Sequence, residues 1–196
     1  MRSVGSWTFL TALVVMVGAI FLAINPQVST MSLDTPDSRK ELLLGYKMLG
    51  NHLENGSKMQ DLILLRKGIF RAPSDELERL MLLIAETSRR LKTELKSLRE
   101  LEPTLNDTPP SLKLLDKIEQ ISIKAGQSAM LFPQGTFDMR FVGLQYLATQ
   151  MLSSTALSTS SLDPNKERRV WLENVSKEFS NIREQLISSV KTCNVM

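Results

Sequence analysis

Asp75-Glu-Leu-Glu-Arg-Leu-Met-Leu-Leu-Ile-Ala-Glu-Thr-Ser-Arg-Arg-Leu-Lys-Thr-Glu-Leu-Lys-Ser-Leu98 is the stretch that decides the fold. Leu77, Ile84, Leu91 and Leu98 recur every seven residues, and Leu80, Met81 and Leu95 fill the neighbouring positions. That period belongs to a helix with one apolar stripe and a charged back. Asp75 with Glu78 three residues on reads as a capping box that opens it, and the helix is expected to end before Pro103. Only this segment keeps a strict heptad, so it reads as a bundle helix rather than a coiled-coil zipper.

Other helical patterns lie on both sides, and strand-like alternation is absent. Leu42, Tyr46, Leu49 and Leu53 form a stripe in a segment expected to run from about Asp37 to Phe70. Asn55-Gly56 is expected to break or kink it, with a second stripe at Met59, Leu62 and Leu65. Whether this segment is one kinked helix or two short ones is left open. Thr108-Pro-Pro110 opens a third helix whose face carries Ile118, Ile121, Ala125 and Ala129, and Phe132-Pro-Gln-Gly135 ends it. A fourth starts near Thr136 with Phe137, Phe141, Leu144, Ala148 and Met151 in one stripe. It is expected to run out in the Ser/Thr-rich stretch 153–161. Asp163-Pro164 then reads as an N-cap and first-turn proline for a fifth helix lined by Leu172, Val175, Phe179, Ile182 and Leu186. Long helices on short connections imply an all-α, up-and-down bundle of four to five helices over residues 37–192, with 193–196 as a tail.

Ahead of the bundle, residues 4–24 carry no charge. At helical rise they span about 32 Å, enough for a hydrocarbon core of about 30 Å. Residues 1–25 are therefore expected to be a transmembrane signal anchor and 26–36, with two prolines, a linker. Arg2 precedes the span and the first charges after it are Asp34 and Asp37. By the positive-inside rule the amino terminus stays in the cytoplasm. A single-pass protein of the cytoplasmic (inner) membrane follows, its carboxyl-terminal domain extracytoplasmic or periplasmic. The alternative is a cleaved signal and a secreted domain.

Composition excludes several function classes. The chain beyond the span holds all 21 acids and 23 of the 24 Lys and Arg, a net charge of +2 without long like-charge runs. That is no footprint for nucleic acid. Cys193 is the single cysteine, so no intramolecular disulfide can form. Two readings are open for it: a free thiol on the tail, or an interchain disulfide making a homo-oligomer. His52 is the single histidine, beside the first stripe. With one Cys and one His, neither a zinc Cys/His set nor a haem Cys-x-x-Cys-His attachment can be assembled. No Glu-x-x-His, Gly-x-Ser-x-Gly or glycine-rich phosphate loop occurs. The ten methionines, Met48, Met59, Met81 and Met151 among them, fall mostly on or beside stripes and read as core filling. Three Asn-x-Ser/Thr sequons, at Asn55, Asn106 and Asn174, matter only in a eukaryotic secretory pathway.

Gly135-Thr-Phe137-Asp138-Met-Arg-Phe141-Val142 resembles the Gly-x-x-Phe-Asp-x-x-aromatic-aliphatic signature of a bacterial ferritin-like family of unknown function, described as outer-membrane or secreted proteins. Thr93-Glu94-Leu95-Lys-Ser-Leu98 is similar to that family's Glu-Leu-x-x-Leu. Asp163-Pro164 with Ile182-Arg183-Glu184-Gln185-Leu186 is similar to its Asp-Pro start and Leu-Arg-Glu-His-Leu close. The resemblance covers about residues 57–190 and implies a ferritin-like bundle. It also exposes departures: where the family carries Asp-His pairs and a final histidine, this chain has Thr87-Ser88, Ala148-Thr149 and Gln185. The fold carries over and metal chemistry does not. Ser88, Thr149 and Gln185 are expected to form a small polar cluster if they meet at the bundle centre. Asp138 is the one acid the resemblance singles out, although a carboxylate in a first turn ordinarily serves the backbone amides.

The reading that results is a membrane-tethered, non-catalytic interaction or scaffold module of the cell envelope, without cofactor or metal, recognising a protein partner. The alternatives are a sensor-like bundle that binds a small ligand between its helices, and a metal-binding ferritin-like protein.

Overall fold

The computed structural model describes residues 36–61, 63–64, 74–108, 117 and 137–193. Within them the chain is all-helical, with four long helices: α1 (Pro36–Ser57), α2 (Asp75–Leu98), α3 (Phe137–Leu162) and α4 (Lys166–Cys193). The expected transmembrane segment and most of the expected helix after Pro110 lie outside the described residues. Among the described residues no helix is long and apolar enough to cross a membrane.

α1 packs on α2 and α3, and α4 packs on the same two, so the helices form a ring in the order α1–α2–α4–α3. Cross-helix contacts give the directions. Gly50 lies by Leu95 and Gly56 by Ser88, so α1 and α2 are antiparallel. Arg79 reaches Gln185, Arg90 reaches Glu178 and Trp171 reaches Glu94, so α2 and α4 are antiparallel. A three-residue turn, 163–165, folds α4 back along α3. The start of α1, the end of α2 and the α3–α4 turn therefore share one end of the bundle.

The three stripes read most directly from spacing are buried. Leu77, Ile84 and Leu91 are under 4% exposed and Leu98 is 9% exposed. Leu42, Tyr46, Leu49 and Leu53 on α1 and Leu172, Val175, Phe179, Ile182 and Leu186 on α4 join Leu77, Ile84 and Leu91 in one core. The cause is the 3.6-residue period, which keeps these side chains on one side of each helix.

Boundaries differ from expectation in three places. Ser74, not Asp75, is the N-cap of α2; its hydroxyl makes no capping bond, and Asp75, Glu76 and Glu78 complement the dipole from the first turn. The break expected at Asn55-Gly56 falls just after it: α1 ends at Ser57, Lys58 makes a turn, and helical backbone resumes at Met59. A Cβ on Gly56 would stand 2.2 Å from Ser88 Oγ, and one on Gly45 would stand 2.3 Å from Thr159 Oγ1. These glycines let α1 approach α2 and α3 closely. Third, α3 does not run out at 153–161 but continues to Leu162. Its hydroxyls bond back to carbonyls three or four residues earlier: Thr159 to Thr155 (2.7 Å), Ser160 to Leu157 (2.7 Å) and Ser161 to Ser158 (2.7 Å). Satisfied in this way, Ser and Thr need not end a helix.

The inner face of α3 also differs. Leu144, Ala148 and Met151 are only half-buried. Phe141 faces the core as expected, but it is followed there by Gln145, Thr149, Leu152, Ser153, Ala156 and Thr159. Ser153 Oγ meets Ser176 Oγ at 2.9 Å and Ser180 Oγ at 3.0 Å across the α3–α4 interface. The face is selected by close approach to α4, which small hydroxyl side chains permit and large apolar ones obstruct.

Leu91→Asp should cost more than about 3 kcal/mol, because it places an unpaired charge at a position 1% exposed. Thermal melting followed by helical circular dichroism reads this out; a wild-type-like melt would contradict the packing of α2.

Candidate functional site

The densest polar constellation lies at the shared end of the bundle. Asp163, in the α3–α4 turn, and Arg168, in the first turn of α4, are both fully buried. Arg168 Nε donates to Asp163 Oδ2 at 2.8 Å and Nη2 to Oδ1 at 2.9 Å, a two-pronged pair. Tyr46 Oη donates to Asp163 Oδ2 at 2.6 Å from α1. The backbone N–H of Asn165 donates to Asp163 Oδ1 at 2.8 Å. Arg168 Nη1 donates to Leu101 O (2.7 Å) and Pro103 O (2.9 Å), in the segment that follows α2. Three elements and a loop are thus joined through one ion pair.

Local chemistry builds the constellation. Pro164 cannot donate, and the Asp-Pro-Asn turn directs Asp163 inward. Asn165 Oδ1 accepts from the backbone N–H of Arg168 at 3.0 Å, so Asn165, rather than Asp163, caps α4. The expected cap is thereby corrected: Asp163 is the buried counter-ion of Arg168. Burial and the Asp163 carboxylate raise the Tyr46 pKa well above its ordinary value, with Arg168 opposing more weakly. The four donors on Asp163 occupy the acceptor capacity of a carboxylate. Such a group holds architecture together and is not poised as a base.

The residues singled out by sequence are dispersed. Ser88 is fully buried on α2 and its Oγ has no hydrogen-bond partner. Thr149 is buried on α3 and bonds its own helix, to Gln145 O at 2.8 Å and Tyr146 O at 2.9 Å. Gln185 is half-buried on α4, where Oε1 accepts weakly from Arg79 Nη1 at 3.5 Å. The expected polar cluster therefore does not form, because each group is committed to a different neighbourhood. His52 is half-buried in α1, and Asp138 is half-buried in the first turn of α3. Among the described residues no three His, Cys, Asp or Glu side chains gather as a metal site.

An open groove of about 380 Å³ runs between α2 and α4, lined by Glu76, Arg79, Asn181, Glu184, Gln185 and Ser188. Arg79 is held there by Glu76, at 2.8 Å and 3.2 Å. Farther along the same interface Arg90 bridges Glu94 and Glu178, and Trp171 Nε1 donates to Glu94 at 2.7 Å. On the α1 side Lys92 and Lys58 flank Glu54 and hold its pKa below the ordinary carboxylate value. These are exposed or half-exposed pairs, of which Arg90–Glu178 and Lys92–Glu54 join neighbouring helices, and each contributes little stability.

Sequence reasoning missed Arg168 and the inward role of Tyr46. A signal existed for both. Arg168 extends the α4 stripe backwards, four residues before Leu172 and seven before Val175, and a charge on a stripe needs a buried partner. Tyr46 lies on the α1 stripe with a polar tip that must be satisfied.

No family model, curated protein or solved structure matches this chain.

Two outcomes test this geometry. Tyr46 must stay protonated in the folded state, whereas in the unfolded chain it ionises near pH 10. Its contribution is complete below about pH 10 and falls as pH rises, by about 1.4 kcal/mol per pH unit. Tyr46→Phe should therefore be less stable than wild type at neutral pH but lose less stability between pH 10 and 11, as measured by urea unfolding. Ser88→Ala should be neutral or stabilising by up to about 1 kcal/mol, since it removes a buried hydroxyl without a partner. A marked loss of stability would show that the hydroxyl is used.

Proposed function

We propose that this chain is a membrane-tethered helical bundle of the cell envelope that works by binding a protein partner, not by catalysis. The tether reading rests on the uncharged run 4–24 and the charge asymmetry around it. The observation that carries the non-catalytic reading is the buried Tyr46–Asp163–Arg168 constellation. The most strongly buried ionisable groups of the described bundle are consumed in holding helices and a loop together. Surface-facing charges on α2 pair mostly within that helix, with Arg90 also reaching Glu178 on α4, and present a mixed face suited to polar recognition. The ferritin-like resemblance supports the bundle as a scaffold and belongs to this proposal.

A second reading, a small-ligand sensor, draws on the groove beside Arg79. Its mixed lining of two carboxylates, one guanidinium and three neutral polar groups would suit a small zwitterion.

The full-length protein should fractionate with membranes and resist an alkaline wash, with its carboxyl terminus accessible from outside the cytoplasm. Crosslinking in intact cells followed by purification should recover a discrete protein complex. A mature amino terminus near residue 31 would replace the anchor with a cleaved signal. Failure to recover a partner, together with a melting shift from a zwitterionic amino acid that Arg79→Ala removes, would favour the sensor. About one equivalent of iron, copper or zinc surviving dialysis, lost in Asp138→Ala or His52→Ala, would revive the ferritin-like metal protein.

A further inference from the structure

Residues 99–107 cross the end of the bundle as a strap, and its carbonyls are gripped one after another. Arg168 Nη1 takes Leu101 O and Pro103 O, at 2.7 and 2.9 Å. Asn165 Nδ2 takes Glu102 O at 2.7 Å, and Arg39 Nη2 takes Thr104 O at 3.0 Å. Arg39 Nε also binds Asp107 Oδ2 at 2.7 Å. The strap closes on itself where the backbone N–H of Leu105 donates to Arg99 O at 3.0 Å. Leu105 is its one fully buried apolar side chain.

This way of being held differs from that of the helices. Each helix presents a row of buried apolar side chains, and separating it from its neighbours exposes that row. Of the strap's own side chains, Leu105 is the one fully buried apolar group that lifting it exposes. The remaining contacts are hydrogen bonds, three of them to carbonyls from the Arg168 and Arg39 guanidinium groups, and water can take the place of the carbonyls once the strap lifts. Beneath the strap lies Arg168, already neutralised by Asp163, and uncovering an ion pair restores hydration that burial had removed.

The geometry points to a releasable strap: residues 99–107 open and close as one unit over Arg168 while the four helices remain packed. In the open state the edge of the Arg168 guanidinium and the Asn165 amide are uncovered. Both are donors that had been held by backbone carbonyls, so the uncovered end accepts carbonyl or carboxylate groups. The device stands whether or not the bundle proves to have a protein partner.

Hydrogen exchange of the full-length protein in detergent micelles, followed by mass spectrometry at denaturant concentrations below the unfolding midpoint, tests this. The amides of Leu101 and Leu105 should exchange at a shared opening equilibrium, at least tenfold more populated than that of residues 46–53 and 172–182, and with weak denaturant dependence. Leu105→Ala should raise strap exchange at least tenfold further and leave the helical amides unchanged. Arg39→Gln, at a partly exposed position, should act in the same direction and provides the test if Leu105→Ala does not fold. Strap amides that exchange only with the helices, or variants that shift strap and helices in parallel, would overturn the proposal.

Discussion

The buried pair between Asp163 and Arg168 is the interaction on which the arrangement of this bundle depends. Two unit charges removed from water are tolerated only when both are thoroughly hydrogen-bonded. Here that requirement recruits Tyr46 from α1, the Asn165 amide from the turn and the Leu101 and Pro103 carbonyls from the strap. Tyr46 and the Asn165 backbone N–H satisfy Asp163, and the strap carbonyls complete Arg168 when the strap is closed. The demand for satisfaction therefore sets how the start of α1, the end of α2 and the α3–α4 turn meet. Apolar packing along the helices supplies most of the driving force, but it tolerates small slides and rotations that this polar lock does not.

Close approach is the second constraint. Gly45 and Gly56 bring α1 against the hydroxyl side chains of Thr159 and Ser88. Ser153, Ser176 and Ser180 let α3 and α4 converge while keeping their own hydrogen bonds. The result is a bundle whose two sides differ in chemistry. The α2–α4 side carries charged side chains, with Arg90 joining Glu178 across it, and the α3–α4 side is held by short hydroxyls together with Arg183 donating to Gln150. The proposed recognition role rests on the α2–α4 side, where Arg79, Arg90, Glu94 and Glu178 stand at the surface.

The Ser88 hydroxyl illustrates the cost of such packing. It is sealed against Gly56 without a partner. A site needs room and convergent donors or acceptors, and this position has neither. The same holds for Thr149, whose hydroxyl is already committed to its own helix.

From sequence alone the helices α1, α2 and α4 and their buried stripes were legible, because apolar spacing at 3.6 residues is a local property of each segment. The absence of cysteine pairs, Glu-x-x-His and nucleophile motifs was equally a matter of counting. The inner face of α3 was not legible beyond Phe141, since apolar residues at 144, 148 and 151 suggested one stripe while the approach of α4 selected another. Nor was the role of Asp163: an Asp-Pro pair before a helix reads as a cap until a guanidinium five residues on competes for the carboxylate. Whether a polar side chain caps, pairs or stays unsatisfied depends on which groups from distant segments arrive beside it. Periodicity carries the direction in which a side chain points along its own helix. Only the tertiary structure decides what it meets there, because that depends on how closely and in what register the other helices approach.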